Sequence, residues 1–444
     1  MEKLVLIHLS DIHFTRSSGV SVHDLDANVR NELRLDAVTV VKRIGPVTGV
    51  LVTGDIAFSG CKAEYDRATE WLRDFCHAIG CSEENVWVVP GNHDVDRKLT
   101  TRKVTRALHQ GIRKNDSHVD NELQEIFSDT QSAAALLEPL TEYNTFAGRF
   151  GCSISAAKHY WERDLKLACG TAVRLRGLTS ALVSNAEDKR GDIVLGTAQV
   201  GVSRAAGVLH LTLCHHPPDW LRDHDGVEDH LKSKVHIQLF GHKHSQRLDE
   251  INGMARLVAG AMHPEREAHE WRPTYNLLEI SRYDGERIRL RVYQRRWNQP
   301  TTNFVAERDS NSGEEYREFL WSGYPVVVQP HTHGGAAEGR GAEIAASSCA
   351  VKVHMTEKDN EAMPSTNHER RLTYRFLTLP FRHQIAVANS LNVLTDEDRS
   401  LSDEALLRVL FRRASEQRLL GKLWAETEKL HADPADFNPF ENSK

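Results

Sequence analysis

Lys3-Leu-Val-Leu-Ile-His-Leu9, running directly into Ser10-Asp11-Ile12-His13, is the stretch whose reading decides the fold. The apolar run is too short for a helix of ordinary length, and it reads as a buried strand that stops at Ser10-Asp11. Gly49 to Thr53 (GVLVT) repeats the pattern and stops at Gly54-Asp55. A helix is expected from roughly residue 64 to 79, with Tyr65, Ala68, Trp71, Leu72 and Phe75 on one face. Asn85 to Val89 is the next strand, closed by Pro90-Gly91. Further strands are expected near 172–178, 207–214, 235–240 and 256–259, and Tyr275–Ile280 and Ile288–Tyr293 flank Asp284-Gly285, a hairpin signal. Strands alternating with helices argue for an α/β architecture in which helices cover sheets.

The chain as a whole bounds what this frame carries. Its 444 residues suggest two or three domains at roughly 150 residues each. Hydrophobic residues make up 40% and charged residues 27%, as in a globular protein and unlike a disordered one. The formal charge of −6 offers no general support for nucleic-acid binding, and the pair Arg295-Arg296 reads most simply as part of a solvated face. No apolar run approaches the roughly 20 residues that span a membrane, and the opening segment is too short for a secretory signal. Seven cysteines, odd in number and without CxxC spacing, fit reduced thiols and a cytoplasmic location. Residues 99–148 are polar and helix-prone, and are expected to be a helical insertion: a lid, a partner surface or a decoration. The expected domains are 1–298, then a strand-containing extension and Gly/Ala-rich linker over 299–369, then a small helical domain over 370–444. In that last segment Phe381, Ile385, Ala388 and Leu391 recur at helical spacing, Ser402 can start a second helix, and Leu406, Leu410, Ala414, Leu420 and Trp424 follow.

Five short signatures sit at or within a residue or two of the ends of apolar runs: Asp11-Ile12-His13, Gly54-Asp55, Gly91-Asn92-His93-Asp94, His215-His216-Pro217-Pro218 and Gly241-His242-Lys243-His244. Ligands of α/β sheets bind outside the carboxyl ends of strands, where side chains on rigid elements face an open crevice. Asp, His and Asn offer hard oxygen and imidazole ligands that suit Mn, Fe, Zn, Ni or Co better than Ca. Asp11 with His13 could bind one cation, Asn92 with His215 another, and Asp55 could bridge the two. Two divalent ions about 3.5–4 Å apart can share a hydroxide and clamp the attacking and leaving oxygens of a phosphate ester. Each signature alone is weak; all five in order are not. His331-Thr332-His333 also follows an apolar run but leads into the Gly-rich linker, and no role is assigned to it. Cys214, beside His215, reads as a buried strand residue rather than a nucleophile.

Over about residues 3–295 this set resembles the calcineurin-like metallophosphoesterase superfamily. The resemblance implies a four-layer α/β/β/α metallophosphoesterase sandwich, here with a helical insertion and a small all-α C-terminal domain. It also implies a dinuclear site. Matched motif by motif, Asp11, His13 and His244 would hold one ion with bridging Asp55, and Asn92, His215 and His242 the other. His215 is preferred to His216 because the first His of such a pair is the family's ligand. His93 would stand beside the substrate, stabilising phosphoryl oxygens or protonating the leaving group, with Asp94 orienting it.

Gly54-Asp55 continues as Ile56-Ala57-Phe58, without the Asp-Arg-Gly of serine/threonine protein phosphatases. The set is more similar to the branch of class III cyclic-nucleotide phosphodiesterases. The expected function is dinuclear-metal-dependent hydrolysis of a phosphodiester, a cyclic nucleotide or a nucleic acid. A metal-dependent nuclease effector of a bacterial defence system is the first alternative, and an inactive scaffold retaining the fold is the second. The C-terminal segment, through Leu379-Pro380-Phe381, Ile385-Ala386, Phe411-Arg412-Arg413 and Leu423-Trp424, resembles helical adaptor modules of bacterial conflict systems, which implies a protein partner.

Overall fold

The computed structural model describes residues 2–15, 25–114, 119–203, 205–262 and 272–324, together with 372, 375–376, 379, 383, 387–388, 390–391, 410, 413–414 and 417–430 of the C-terminal segment. In chain order the strands are β1 (Lys3–Leu9), β2 (Gly49–Thr53), β3 (Val86–Val89), β4 (Tyr160–Lys166), β5 (Ala172–Leu178), β6 (Val208–Leu213), β7 (Ile237–Phe240), β8 (Arg247–Ile251), β9 (Met254–Val258), β10 (Thr274–Arg282), β11 (Ile288–Asn298), β12 (Asn303–Ala306) and β13 (Arg317–Trp321). They form two mixed sheets. The first runs β12-β11-β10-β1-β2-β3, with β13 also on β11; the second runs β4-β5-β6-β7-β9-β8.

β1, β2 and β3 are mutually parallel, and so are β5, β6, β7 and β9. Crossovers supply the helices that cover the outer faces, which is why these strands are buried on both sides and read as continuous apolar runs. The sheets face each other: Leu4, Leu6, Val50 and Val52 share one core with Val173, Leu175, Leu209 and Leu211. Helix α1 (Leu25–Ile44) contributes Leu33, Ala37 and Val40 to this core, and α2 (Lys62–Ile79) contributes Tyr65, Ala68, Leu72 and Phe75. A second cluster, in which helix His224–Lys234 sets Val227 and Leu231 beside Val258 and buried Cys214, covers the other outer face. The result is the four-layer α/β/β/α sandwich.

Between β3 and β4 the chain is helical, in segments Arg97–Thr100, Lys103–Lys114, Val119–Ser128, Thr130–Leu137 and Thr141–Gly148. Ile112, Leu123, Ile126 and Leu136 pack together and onto Leu182, Val183 and Val194. β12 and β13 both pair with β11, so the first sheet continues past residue 298 to Trp321. Arg295 is not on a solvated face: it is buried, donates to the Asp36 carboxylate at 2.8 Å through Nε, and so ties β11 to α1. In the C-terminal segment, helix Leu420–Glu428 buries Leu423 and Trp424, and Arg375 pairs with Glu428. The expected linker 331–365, with His331 and His333, and the expected helical positions Phe381, Ile385, Ser402 and Leu406 lie outside the described residues. No helix among the described residues is long and apolar enough to cross a membrane.

Candidate metal centre

The loops after β1, β2 and β3, adjacent in the first sheet, and after β6 and β7, adjacent in the second, leave parallel strands at their carboxyl ends. The first two are joined by backbone bonds from Asp11 N–H to Gly54 C=O (3.1 Å), His13 N–H to Asp55 C=O (3.0 Å) and Phe14 N–H to Ile56 C=O (2.8 Å). Five of the expected ligands adopt the left-handed backbone conformation: Asp11 (φ 52°), His13 (52°), Asp55 (51°), His242 (68°) and His244 (54°). Each such residue costs about 1–2 kcal/mol relative to the ordinary regions, and clusters of them mark functional sites. Close glycines permit the arrangement. A Cβ on Gly91 would lie 2.2 Å from Asp55 Oδ1, and one on Gly241 would lie 2.1 Å from Ser10 Oγ and 2.9 Å from Asp11 Oδ2.

The side chains converge. His244 Nε2 is 3.3 Å from Asp11 Oδ1, His215 Nε2 is 3.3 Å from Asp55 Oδ2, and His13 Nε2 is 3.8 Å from Asp55 Oδ2. Asn92 Oδ1 is 3.1 Å from His215 Nε2 and 3.0 Å from His242 Nδ1. Ligand atoms of Asp11, His13 and His244 lie within 4.8 Å of one another, as do those of His13, Asp55 and His93, of Asp11, Asp55 and His215, and of His215, His216 and His242. The side chains of Asp11, His13, Asp55, Asn92, His93, His215, His242 and His244 therefore meet in one pocket. Of the histidine pair, His215 directs Nε2 toward Asp55, whereas His216 holds Nδ1 2.8 Å from Ser180 Oγ. His215 Nδ1 donates to the Thr53 carbonyl at 2.8 Å, which fixes its ring and leaves Nε2 turned to the pocket.

The electrostatics fit cations. Asp11 and Asp55 are 0% and 1% exposed; imidazoles face them, and the Ser10 hydroxyl and the backbone N–H groups of His242 and His93 donate to them. Burial pushes the Asp11 carboxyl up, but the His244 hydrogen bond and the His215 and His244 charges outweigh it and hold it at about 2. Asp55 is likewise held well below the carboxylate range, burial being outweighed by His215 and His93. Burial pushes the His215 imidazole down, but Asp55 overrides it and raises it to about 9. Burial, reinforced by His215, lowers His242 to about 4. Two buried carboxylates side by side are costly without counter-charge. Asp11 Oδ1 is buried and faces the His244 imidazole at 3.3 Å. Carboxylate, amide and imidazole donors at this density could hold divalent cations of the Mn, Fe or Zn kind.

The structure corrects one expected contact. Asp94 does not orient the His93 ring: its carboxylate accepts from the backbone N–H groups of Ile56 (3.2 Å), Ala57 (2.9 Å) and Gly91 (2.9 Å) and from Tyr65 Oη (3.0 Å). It fastens the loop after β2 to the loop after β3, and burial together with the Asp55 charge raises it to about 7. His93 Nδ1 instead donates to the Phe58 carbonyl at 2.8 Å, and its backbone N–H donates to Asp55 Oδ1 at 2.8 Å. Two neighbours escaped the sequence reading. The Arg97 guanidinium lies 3.3 Å from His93 Nε2, and the 40%-exposed Phe58 ring lies 5.3 Å from the His93 ring. The spacing of four between His93 and Arg97, on the way into a helix, was the available signal for the first.

A family model described as calcineurin-like phosphoesterase matches residues 4–246, and one described as GTPase-associated adaptor domain matches residues 368–429. An uncharacterized metallophosphoesterase-like protein, YydB of Bacillus subtilis (strain 168), is 23% identical over 303 residues, 64% of this chain and 58% of that protein, so the chain spans little more than half of that relative's length. Among solved structures, a conserved uncharacterized protein (predicted phosphoesterase) from Streptococcus pneumoniae TIGR4 is 12% identical with a TM-score of 0.29, covering 72% of this chain and 99% of that one. Vacuolar protein sorting 29 from Cryptosporidium parvum is 14% identical with a TM-score of 0.29, covering 72% and 100%. The first family model spans more than half of the chain, from β1 through the His242–His244 loop, and the chain belongs to the calcineurin-like phosphoesterase family.

Proposed function

We propose that the chain hydrolyses phosphodiesters at a dinuclear metal site, with Asp11, His13, His244 and Asp55 holding one divalent cation and Asp55, Asn92, His215 and His242 the other. The observation that carries this reading is the conjunction in one pocket of five left-handed residues and mutually adjacent ligand atoms from strand ends far apart in sequence. When bound, the cations activate water and neutralise the phosphate oxygens.

The chain's own groups do the rest. Asp55, held well below the carboxylate range and fixed by the His93 backbone N–H, would bridge the two cations. His215, pinned by the Thr53 carbonyl, keeps Nε2 toward the pocket. His93 commits Nδ1–H to the Phe58 carbonyl, so Nε2 is the ring nitrogen left to face a phosphoryl or leaving oxygen and the atom through which the ring would take up or give a proton. Arg97 beside it offers a planar guanidinium to the same phosphoryl group. The exposed Phe58 ring gives an apolar wall for a second organic substituent, which supports a diester rather than a monoester. The Ile56-Ala57-Phe58 continuation, in place of the protein-phosphatase motif, supports the same choice.

The test is turnover with Mn²⁺ of bis(p-nitrophenyl) phosphate against p-nitrophenyl phosphate, with Asp55→Asn as the inactive control. The diester is expected to be the better substrate; faster monoester hydrolysis overturns the diester assignment. The adaptor-domain match at residues 368–429 supports recruitment by a protein partner through the C-terminal segment. Loss of a co-purifying partner when Trp424→Ala is introduced into the full chain tests that role.

A further inference from the structure

Beside the metal centre, and walled at one end by His244, lies a cleft of about 660 Å³ along the seam of the two sheets. Five arginines line it: Arg247, Arg272, Arg296, Arg308 and Arg317. Among the described residues two carboxylates, Glu307 and Asp309, also face it, against the five guanidiniums.

The strand register gives the cleft a direction. Its inner end is at His244 and Thr274, where Thr274 pairs with Arg296 and Arg272 stands two residues away. Gln246 then donates to Asn276 Oδ1 at 2.8 Å. At the outer end Arg317 donates to the Leu248 carbonyl at 2.9 Å and pairs in register with Val292, next to Arg247. Val292, Gln294 and Arg296 alternate along β11, so all three present one face, and at ~3.4 Å per residue the cleft runs about 14 Å. That length matches about four stacked nucleotides at ~3.4 Å each and exceeds a single phosphate. The volume spread over that length leaves roughly 50 Å² of cross-section, the scale of a single sugar-phosphate backbone.

The arginines differ in how they are engaged. Arg296 pairs with Glu307, Arg308 with Glu315 at 3.3 Å, and Arg317 with Glu250 at 3.6 Å. The Arg247 and Arg272 side chains are exposed, and among the described residues neither guanidinium makes an ion pair or a hydrogen bond. Among the described residues no Phe, Tyr or Trp side chain lines the cleft; guanidiniums in fixed forks recognise phosphate oxygens.

We propose that this cleft holds the non-scissile phosphates of a single-stranded oligonucleotide whose scissile diester lies at the metal centre. The proposal rests on the phosphodiesterase reading above and names its substrate class. Binding is then independent of base sequence and sensitive to salt, since each neutralised phosphate releases counterions.

The test uses the full chain with Mn²⁺ and a fluorescein-labelled, phosphorothioate-linked thymidine decamer, followed by anisotropy. The Arg247→Ala/Arg272→Ala double variant is expected to weaken decamer binding about tenfold or more and to flatten the log affinity against log salt slope by about 1.4, or ~0.7 per lost contact. Its turnover of bis(p-nitrophenyl) phosphate should be unchanged, and the Arg247→Lys/Arg272→Lys variant should recover most of the binding. Thymidine triphosphate, with its phosphates on one nucleoside, should compete far more weakly than an unlabelled decamer. The proposal is overturned if the double variant binds the decamer as the parent does, or if the triphosphate competes equally. Wild-type turnover of bis(p-nitrophenyl) phosphate with arginine-indifferent decamer binding removes the cleft proposal and leaves the phosphodiesterase reading. Arginine-dependent binding with no diester turnover by the parent chain removes the phosphodiesterase reading, and with it the substrate assignment, and leaves the cleft as an oligonucleotide-binding groove.

Discussion

Gly91→Ala is the sharpest single perturbation the site offers. Gly91 has no positive φ, so alanine suits its backbone, and the effect of the substitution is steric. The new methyl would sit 2.2 Å from Asp55 Oδ1 and 2.5 Å from the Asp55 backbone N, where ordinary contact begins at 3.4 Å, so something must move by about 1.2 Å. Neither side has room to yield freely. Asp55 Oδ1 is bonded by the His93 N–H at 2.8 Å, and Gly91 N–H is bonded to Asp94 Oδ2 at 2.9 Å. Overpacking of this kind costs about 1–3 kcal/mol, which a folded chain of this size survives. A misplacement of about 1 Å in a bridging carboxylate is expected to lower kcat/KM about 100-fold, or ~2.7 kcal/mol of transition-state stabilisation. The assay is Mn²⁺-dependent hydrolysis of bis(p-nitrophenyl) phosphate, with bound metal measured on the same sample. Gly285→Ala, where a Cβ meets nothing within 4 Å, is the neutral control. A Gly91→Ala protein with parental activity and full metal content would refute the placement of Asp55 against this loop.

The His215 imidazole, held at about 9 chiefly by Asp55 against its burial, is protonated at pH 7 in the metal-free chain. Its raised value stabilises the metal-free fold fully below pH 6.5, and that contribution is lost as pH climbs through about 9. A cation must expel this proton, so Mn²⁺ affinity should rise about tenfold per pH unit up to about 9. Calorimetry in buffers of different ionisation enthalpy should report about one proton released per chain at pH 7, and a buffer-independent enthalpy would contradict the assignment. His93→Ala should leave bound metal unchanged and slow diester cleavage about 100- to 10,000-fold. The loss should be greatest for esters with alkoxide leaving groups; equal losses for p-nitrophenoxide and alkoxide esters would remove the proton-donor role. Asp94→Ala orphans the buried N–H groups of Ile56, Ala57 and Gly91, and should cost about 3–5 kcal/mol in urea denaturation while also lowering bound metal. Parental stability would show that the two loops are fixed by other means.

The ends of β1, β2 and β5 could be read from sequence to the residue: β1 and β2 are near-continuous apolar runs between turn residues, and β5 (AVRLRGL) sets Arg174 and Arg176 between apolar residues. The metal-site residues were legible for the same reason: each hangs from the end of such a run. Helix α1 was not anticipated, since its first half mixes charges among the apolar positions and its later half carries the β-branched run Val38-Thr39-Val40-Val41. β4 (YWERDLK) and β8 (RLDEI) were missed because edge strands carry charge in place of apolar alternation. The pairing of His93 with Asp94 failed because neighbours in sequence project in different directions, and Asp94 had buried N–H groups to satisfy instead. The arginine cleft was invisible because Arg247, Arg272, Arg296, Arg308 and Arg317 come from separate segments; only Arg295-Arg296 drew notice, and Arg295 is bound to Asp36 on the other face of β11.

The most direct measurement is an anomalous difference map from crystals of the full chain grown with Mn²⁺. Two peaks about 3.5–4 Å apart are predicted, with Asp55 touching both, Asp11, His13 and His244 around one, and Asn92, His215 and His242 around the other. A single peak, or peaks away from Asp55 in a folded, manganese-saturated crystal, would contradict the account.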